Sequence, residues 1–242
     1  MTKKLIPLLL LSISLCHNML AQSDDYPVIN PTATYTTYSG ESETSTNYSG
    51  NAPLTGRFEA NAQNTEGWNT YYEWRFNKEN ATEPYLIRYE ENTEYVFAEA
   101  GTHYIRLYAT FTRGSETIEY TEEYWATEAE PLQVTISESK LIMPNAFSPN
   151  HDSSNNTYKV KEYQSLVEFH ATIYNRWGQK LYEWDDPAAD GWDGTFHGND
   201  VKEGVYFVEV RAKGADGHIY HIRRDVNLLR GYTEGTRTGG GG

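Results

Sequence analysis

Four carboxylates crowd one short stretch of this chain: Asp185, Asp186, Asp190 and Asp193. Two carboxyl groups facing each other across a cleft would suit glycosidic hydrolysis, one as acid and one as nucleophile or base. These four fall within a single loop that ends in Trp192-Asp193-Gly194. There Asp more often caps a turn by accepting from nearby backbone N–H groups, and we read them as turn residues. Seven histidines raise the question of a transition metal. His218 and His221 are three apart, which on a strand places them on opposite faces, and His151 and His197 stand alone. No serine, cysteine or lysine has the context of an activated nucleophile. No glycine-rich phosphate loop precedes a helix, and the four terminal glycines lack the strand and helix such a loop needs. The residues therefore give no catalytic site, no cofactor site and no transition-metal site.

The elements that would have to position any site are strands. The chain has 20 Tyr and 6 Trp in 242 residues, and no long stretch has a helical period. Tyr, Thr, Val and Ile alternate in short runs broken by Gly, Asn, Asp and Pro, as in half-buried antiparallel strands. The expected fold class is all-β, with two antiparallel β-sandwich domains in tandem. In Tyr71–Phe76, Tyr72, Trp74 and Phe76 share a face. Along 103–111, Ile105, Leu107, Ala109 and Phe111 alternate inward after a turn at Gly101. Residues 118–124 and 132–136 read as further strands. Phe169, Ala171 and Ile173 form one face of a strand at 168–174, which Asn175–Gly178 turns back into 179–184. Asp216-Gly217 joins the last hairpin, 205–212 with 218–229.

The N-terminus reads as a secretory signal peptide over 1–21. Lys3 and Lys4 precede an apolar run from Leu5 to Leu15, and Ala21 is a small residue at the cleavage point. That run is too short to span a bilayer, so no stable transmembrane insertion is expected. Cleavage would remove Cys16, the only cysteine, leaving no disulfide. It would also take the formal charge from −14 to −16 by removing the two lysines. So acidic a chain repels phosphate backbones, which argues against nucleic acid as a partner. The expected division continues with a polar irregular segment at 22–52, in which 39–49 is irregular or a weak edge strand, a first sandwich at 53–136, a joint at 137–140, a second sandwich at 141–230 and a Gly-rich flexible tail at 231–242.

The second sandwich carries a run of motifs: Pro144, Asn145, Phe147, Pro149 and Asn150, then Asn175-Arg176-Trp177-Gly178, Trp192-Asp193-Gly194, Gly204-Val205-Tyr206 and Arg230. This order and spacing resemble the gliding-motility-associated C-terminal domain, the type B sorting domain of proteins exported by the type IX secretion system. As a fold signature, the motifs would use Trp177 and Trp192 as core plugs, Gly178 and Gly194 as turn residues, and Tyr206 as a packed strand residue. The resemblance implies export to the cell surface or medium after periplasmic transit, with the type IX machinery as partner. It also implies an oxygen-rich loop after the first motif, of the kind calcium favours. Here that loop reads His151-Asp152-Ser153-Ser154-Asn155-Asn156, without the family's glycines. Asp152, Asn155 and Asn156 are its candidate donors, against the plainer reading of an Asx-rich turn.

In the first sandwich, Tyr72–Phe76 and the later Phe97 and Gly101–Leu107 resemble the polycystic-kidney-disease-type immunoglobulin-like domain. Asn77-Lys78-Glu79-Asn80 stands where that family has a Gly-Asp-Gly turn. The expected function is a non-enzymatic secreted or surface protein carrying this domain as cargo or spacer. Two alternatives are a glycan-binding module and a structural subunit of a surface adhesin. The first would use rings among Tyr35, Tyr38, Tyr48, Tyr71, Tyr85, Tyr89, Trp68 and Trp125 to stack on sugars. The second would need open strand edges.

Overall fold

A computed structural model describes residues 26–150, 152 and 154–231. The expected signal peptide, and the tail beyond Gly231, lie outside the described residues. Among the described residues the fold is all-β, built from several mostly antiparallel sheets, with one short helix.

The upstream strands are β1 (Thr32–Thr36), β2 (Ser42–Thr44), β3 (Asn47–Gly50), β4 (Leu54–Glu59), β5 (Asn69–Lys78), β6 (Leu86–Arg88), β7 (Asn92–Phe97), β8 (Gly101–Arg113), β9 (Glu116–Tyr120) and β10 (Leu132–Ile136). One sheet has the order β2-β1-β4-β7 and the other β3-β10-β8-β5-β6, with β9 also paired to β8. An aromatic core fills the space between them. Phe58 of β4 lies edge-on to Phe76 of β5 at 5.2 Å and tilted on Trp74 at 5.8 Å. The alternation along β5 and β8 buries the residues their patterns point inward: Tyr72, Trp74 and Phe76 on one strand, Ile105, Leu107, Ala109 and Phe111 on the other. Gly101 opens β8 at φ +113°, a conformation that favours glycine.

Two stretches differ from the sequence expectation. Within 22–52, expected to be irregular with at most a weak edge strand at 39–49, the chain forms β1, β2 and β3, of which β2 and β3 lie at sheet edges. Only Ala33 and Tyr35 of β1 reach full burial, yet Tyr35 stacks on Tyr48 of β3 at 4.8 Å and closes one end of the core. Two inward residues are too weak a pattern to stand out among polar neighbours. The strand expected to run to Tyr124 stops at Tyr120, and Glu122–Thr127 form helix α1. Its Trp125 turns inward and donates to the Leu107 carbonyl at 3.0 Å.

Downstream lie β11 (Lys140–Ile142), β12 (Ala146–Phe147), β13 (Glu162–Gln164), β14 (Leu166–Tyr174), β15 (Lys180–Trp184), β16 (Thr195–Phe196), β17 (Asn199–Asp200), β18 (Gly204–Gly214) and β19 (Ile219–Leu228). A five-stranded sheet has the order β12-β19-β18-β14-β15, with β12 parallel to β19 and the other neighbours antiparallel. A second hydrophobic core lies on one face of it. Phe169, Ala171 and Ile173 of β14 and Val208 and Val210 of β18 meet Tyr158, Val160 and Trp192 there. The cover is a two-stranded ladder, β11 with β13, together with loops. The opposite face is open: along β18, Val205, Phe207, Arg211 and Lys213 face solvent.

Candidate functional site

The motif residues are scattered in sequence but meet at one end of the five-stranded sheet. β18 begins at Gly204, opposite Leu228 of β19, and its Phe207 lies opposite Tyr174 at the end of β14. The Asn175–Gly178 turn therefore sits at the same end as Gly204-Val205-Tyr206. Arg230, just past β19, draws the remaining segments in. Its guanidinium donates to the carbonyls of Gly194 at 2.8 Å, Val201 at 3.3 Å and Pro149 at 3.4 Å, and pairs with Asp200 at 3.2 Å. Three carbonyls from three loops thus share one planar cation, a geometry that suits Arg's fixed fork of donors.

The first motif runs alongside. Ala146 and Phe147 pair with Asn227 and Leu228, and the Ser148 hydroxyl donates to the Leu229 carbonyl. The Tyr158 hydroxyl donates to the Pro144 carbonyl at 3.0 Å, and the Asn227 N–H to the Asn145 carbonyl at 3.0 Å. Trp192 is completely buried. Its ring lies 5.3 Å from Phe147 and 5.0 Å from Tyr206, and its indole N–H donates to the Thr195 carbonyl at 2.8 Å. Tyr206 in turn donates to the Lys202 carbonyl at 2.6 Å. Gly194 adopts φ +81°, and a Cβ there would press on Leu228 at 3.0 Å. Trp192, Gly194, Tyr206 and Arg230 are therefore the frame of this pole.

Trp177 departs from the expected role. It is not a core plug: its side chain is 80% exposed. The cause is the turn itself. The Asn175 carboxamide oxygen accepts from the N–H groups of Trp177 and Gln179, both at 3.0 Å, and Gly178 takes φ +80°. Such an Asx turn lifts the residue at its tip away from the sheet. Arg176 lies over the indole at 5.1 Å. Beside them is a cavity of about 340 Å³, lined in part by Leu181, Phe196, Val201, Val205 and Tyr206. The pole thus presents an exposed cation–aromatic pair beside an apolar recess.

Further along the open face, the Glu209 carboxylate gathers three side chains at once. Its carboxylate accepts from Arg211 at 2.8 Å, His221 at 3.1 Å and Arg223 at 3.1 Å. These bonds, from Arg211 foremost, then Arg223 and His221, hold its pKa down at about 2.

The other candidates resolve into local structure. Asp186 caps the Ala188 N–H at 2.8 Å and Asp193 the Thr195 N–H at 2.9 Å. Asp185 pairs with His170 at 2.6 Å and Asp190 with Lys159 at 3.5 Å. The four acids are not set opposite one another across a cleft. Asp152 turns back on its own loop, accepting from the Ser154 N–H at 2.9 Å and the Asn150 side chain at 2.8 Å, while Asn156 donates to the Asp152 carbonyl. The Ser154 bond, then that from Asn150, lowers the Asp152 pKa. Asn155, at φ +55°, offers its carbonyl to the Ser148 N–H at 2.7 Å. The described bonds of Asp152 and Asn155 are those of an Asx-rich turn; His151 and Ser153 of this loop lie outside the described residues. Among the described residues, no three His, Cys, Asp or Glu are grouped to hold a metal ion, and no helix is long and apolar enough to cross a membrane.

Of the rings named as sugar platforms, Tyr35, Trp68 and Trp125 are core residues. Tyr38, Tyr71, Tyr85 and Tyr89 are exposed, but Tyr71 and Tyr89 tilt 41° to each other and form no flat platform.

Comparison with known proteins places the pole in context. Residues 141–221 match the family described as the CHU_C Type IX secretion signal domain. No curated protein matches the chain. Among solved structures, the crystal structure of dimeric latent PorU from Porphyromonas gingivalis is similar at 13% identity and a TM-score of 0.25, over 88% of this chain and 21% of that one. The chain thus spans about a fifth of that protein's length. The family match agrees with the resemblance carried by the motifs at 141–230. It ties the chain to type IX secretion, and the matched domain is a secretion signal, not a catalytic domain.

Proposed function

We propose that this is a non-enzymatic secreted or cell-surface protein. Its module at 141–230 directs export across the outer membrane by the type IX secretion machinery, after a signal peptide at 1–21 has taken the chain into the periplasm. The upstream unit at 53–136, immunoglobulin-like and similar to polycystic-kidney-disease-type domains, is the passenger, and β1 to β3 complete it. The observation that carries the reading is the secretion-signal match over 141–221, together with the meeting of its motif residues at one pole. That pole is the face offered to the machinery. Its frame is Pro144, Asn145, Phe147, Pro149, Asn150, Trp192, Asp193, Gly194, Gly204, Tyr206 and Arg230, and its exposed features are Arg176, Trp177 and Val205.

The test is localisation of the tagged full-length protein in a host with a type IX system. The protein is expected in the medium, or on intact cells where added protease removes it. Retention in the periplasm, protected from protease until the outer membrane is opened, would count against the proposal.

A further inference from the structure

The end of the five-stranded sheet opposite Trp177 is not free. The turn between β18 and β19, Ala215-Asp216-Gly217, leaves its own core and enters the upstream one, where Ala215 is buried. The Ala100 N–H donates to the Ala215 carbonyl at 2.9 Å, and the Ala215 N–H to the Ser165 carbonyl at 2.9 Å. Ser165 is buried and held at φ +44°, unusual for a residue with a side chain. Its hydroxyl accepts from the Ala52 N–H at 3.2 Å and shares a bond of 2.7 Å with the Ser137 hydroxyl. The Asp216 carboxylate accepts from the Ser139 N–H at 3.0 Å and the Ser139 hydroxyl at 2.8 Å. Val167 also packs against the upstream core.

The stretch expected to be a polar joint is therefore pinned at Ser137 and at Ser139. A free joint of this composition would let the module swivel. Instead, Ala100 and Ser139 bond the turn itself, while Ala52 and Ser137 bond the Ser165 hydroxyl, whose residue's carbonyl accepts from the turn's Ala215 N–H. Parting them would expose Ala215 and leave buried donors and acceptors to find other partners, a loss that opposes independent opening.

We propose that the 214–217 turn is a clamp seated in the upstream unit, and that it makes the two cores unfold as one cooperative body. The claim rests on the contacts alone and stands or falls separately from the export reading. It is tested on the full chain by hydrogen exchange with peptide-level mass spectrometry across a denaturant series. Peptides around Trp74 and Phe76 report the upstream core, and those around Trp192 and Val208 the downstream one. In the wild type, both sets should lose protection at the same denaturant concentration. Ala215→Glu, which drives a charge into the upstream core, should separate the two transitions. Asp216→Ala removes the carboxylate's bonds to Ser139 and to the His218 N–H without placing a charge in either core, and so keeps the test valid if Ala215→Glu does not fold. It should speed exchange at the Ala100 amide roughly tenfold or more. Separate transitions in the wild type, or unchanged Ala100 protection in Asp216→Ala, would overturn the proposal.

Discussion

Two tryptophans in the same module do opposite work. Trp192 is sealed between Phe147 and Tyr206 with its N–H satisfied, whereas Trp177 stands in solvent at the tip of an Asx turn. The sequence made them look alike, since a large apolar side chain beside a turn glycine reads as a plug in either case. What separates them is the Asn175 side chain, whose bonds to two backbone N–H groups decide where the turn points. Asn175 was legible as a motif residue, but its effect on a neighbour's exposure was not. Trp192→Ala should destabilise the protein by about 3–5 kcal/mol, as large aromatic truncations in cores do. Trp177→Ala should stay within about 0.5 kcal/mol of the wild type. Denaturant unfolding of both variants checks the pair. If the exposed pole is what the machinery reads, Trp177→Ala should also lower the exported fraction while leaving the unfolding midpoint in place. Unchanged export would remove Trp177 from the recognised surface.

At the scale of elements, the strands with strict alternation were readable because each buries one whole face. Those of β5, β8 and β14 fall where their patterns place them. The misses have a common cause, too little buried per segment: β1 hides two residues, and α1 is one and a half turns carrying a single buried side chain. The Arg230 junction could be anticipated as a motif position but not as a hub, because all its partners but Asp200 are backbone carbonyls, which have no sequence signature. Arg230→Ala should cost about 1.5–3 kcal/mol, the range for bonds involving a charged group, and should loosen the loops at 149, 194 and 201 together.

His103 gives β8 a pH dependence. Its ring is buried, accepting from the Tyr85 hydroxyl at 2.9 Å through Nδ1 and donating to the Glu99 carbonyl at 3.1 Å through Nε2. Burial holds its pKa below the ordinary value of 6.5. The unfolded chain therefore takes up the proton first. Stability from this site is full above pH 6.5 and declines as the pH falls through the lowered value. Thermal unfolding should show a midpoint that drops as the pH falls below 6.5 more steeply in the wild type than in His103→Gln. Equal slopes would show that His103 is not the titrating group.

For the molecule as a whole, the motif order was enough to point to export, and the secretion-signal match over 141–221 agrees with it. The relation between the two cores was not legible. An Asp-Gly hairpin signal says that a chain reverses, and it does not say that the reversing turn enters another core. Seen whole, the five-stranded sheet has one end held against the upstream core at Ala215 and an opposite end carrying the motifs, separated along β18 by roughly 30 Å of strand. That arrangement keeps the motif pole clear of the upstream core.

The most direct test of the address-and-passenger account is removal of residues 141–230 from the tagged chain in a host with a type IX system, with fractionation of periplasm, surface and medium. The account predicts that the shortened protein accumulates in the periplasm while the full chain leaves the cell. Arrival of the shortened protein at the surface or in the medium, in the same proportion as the full chain, would contradict it.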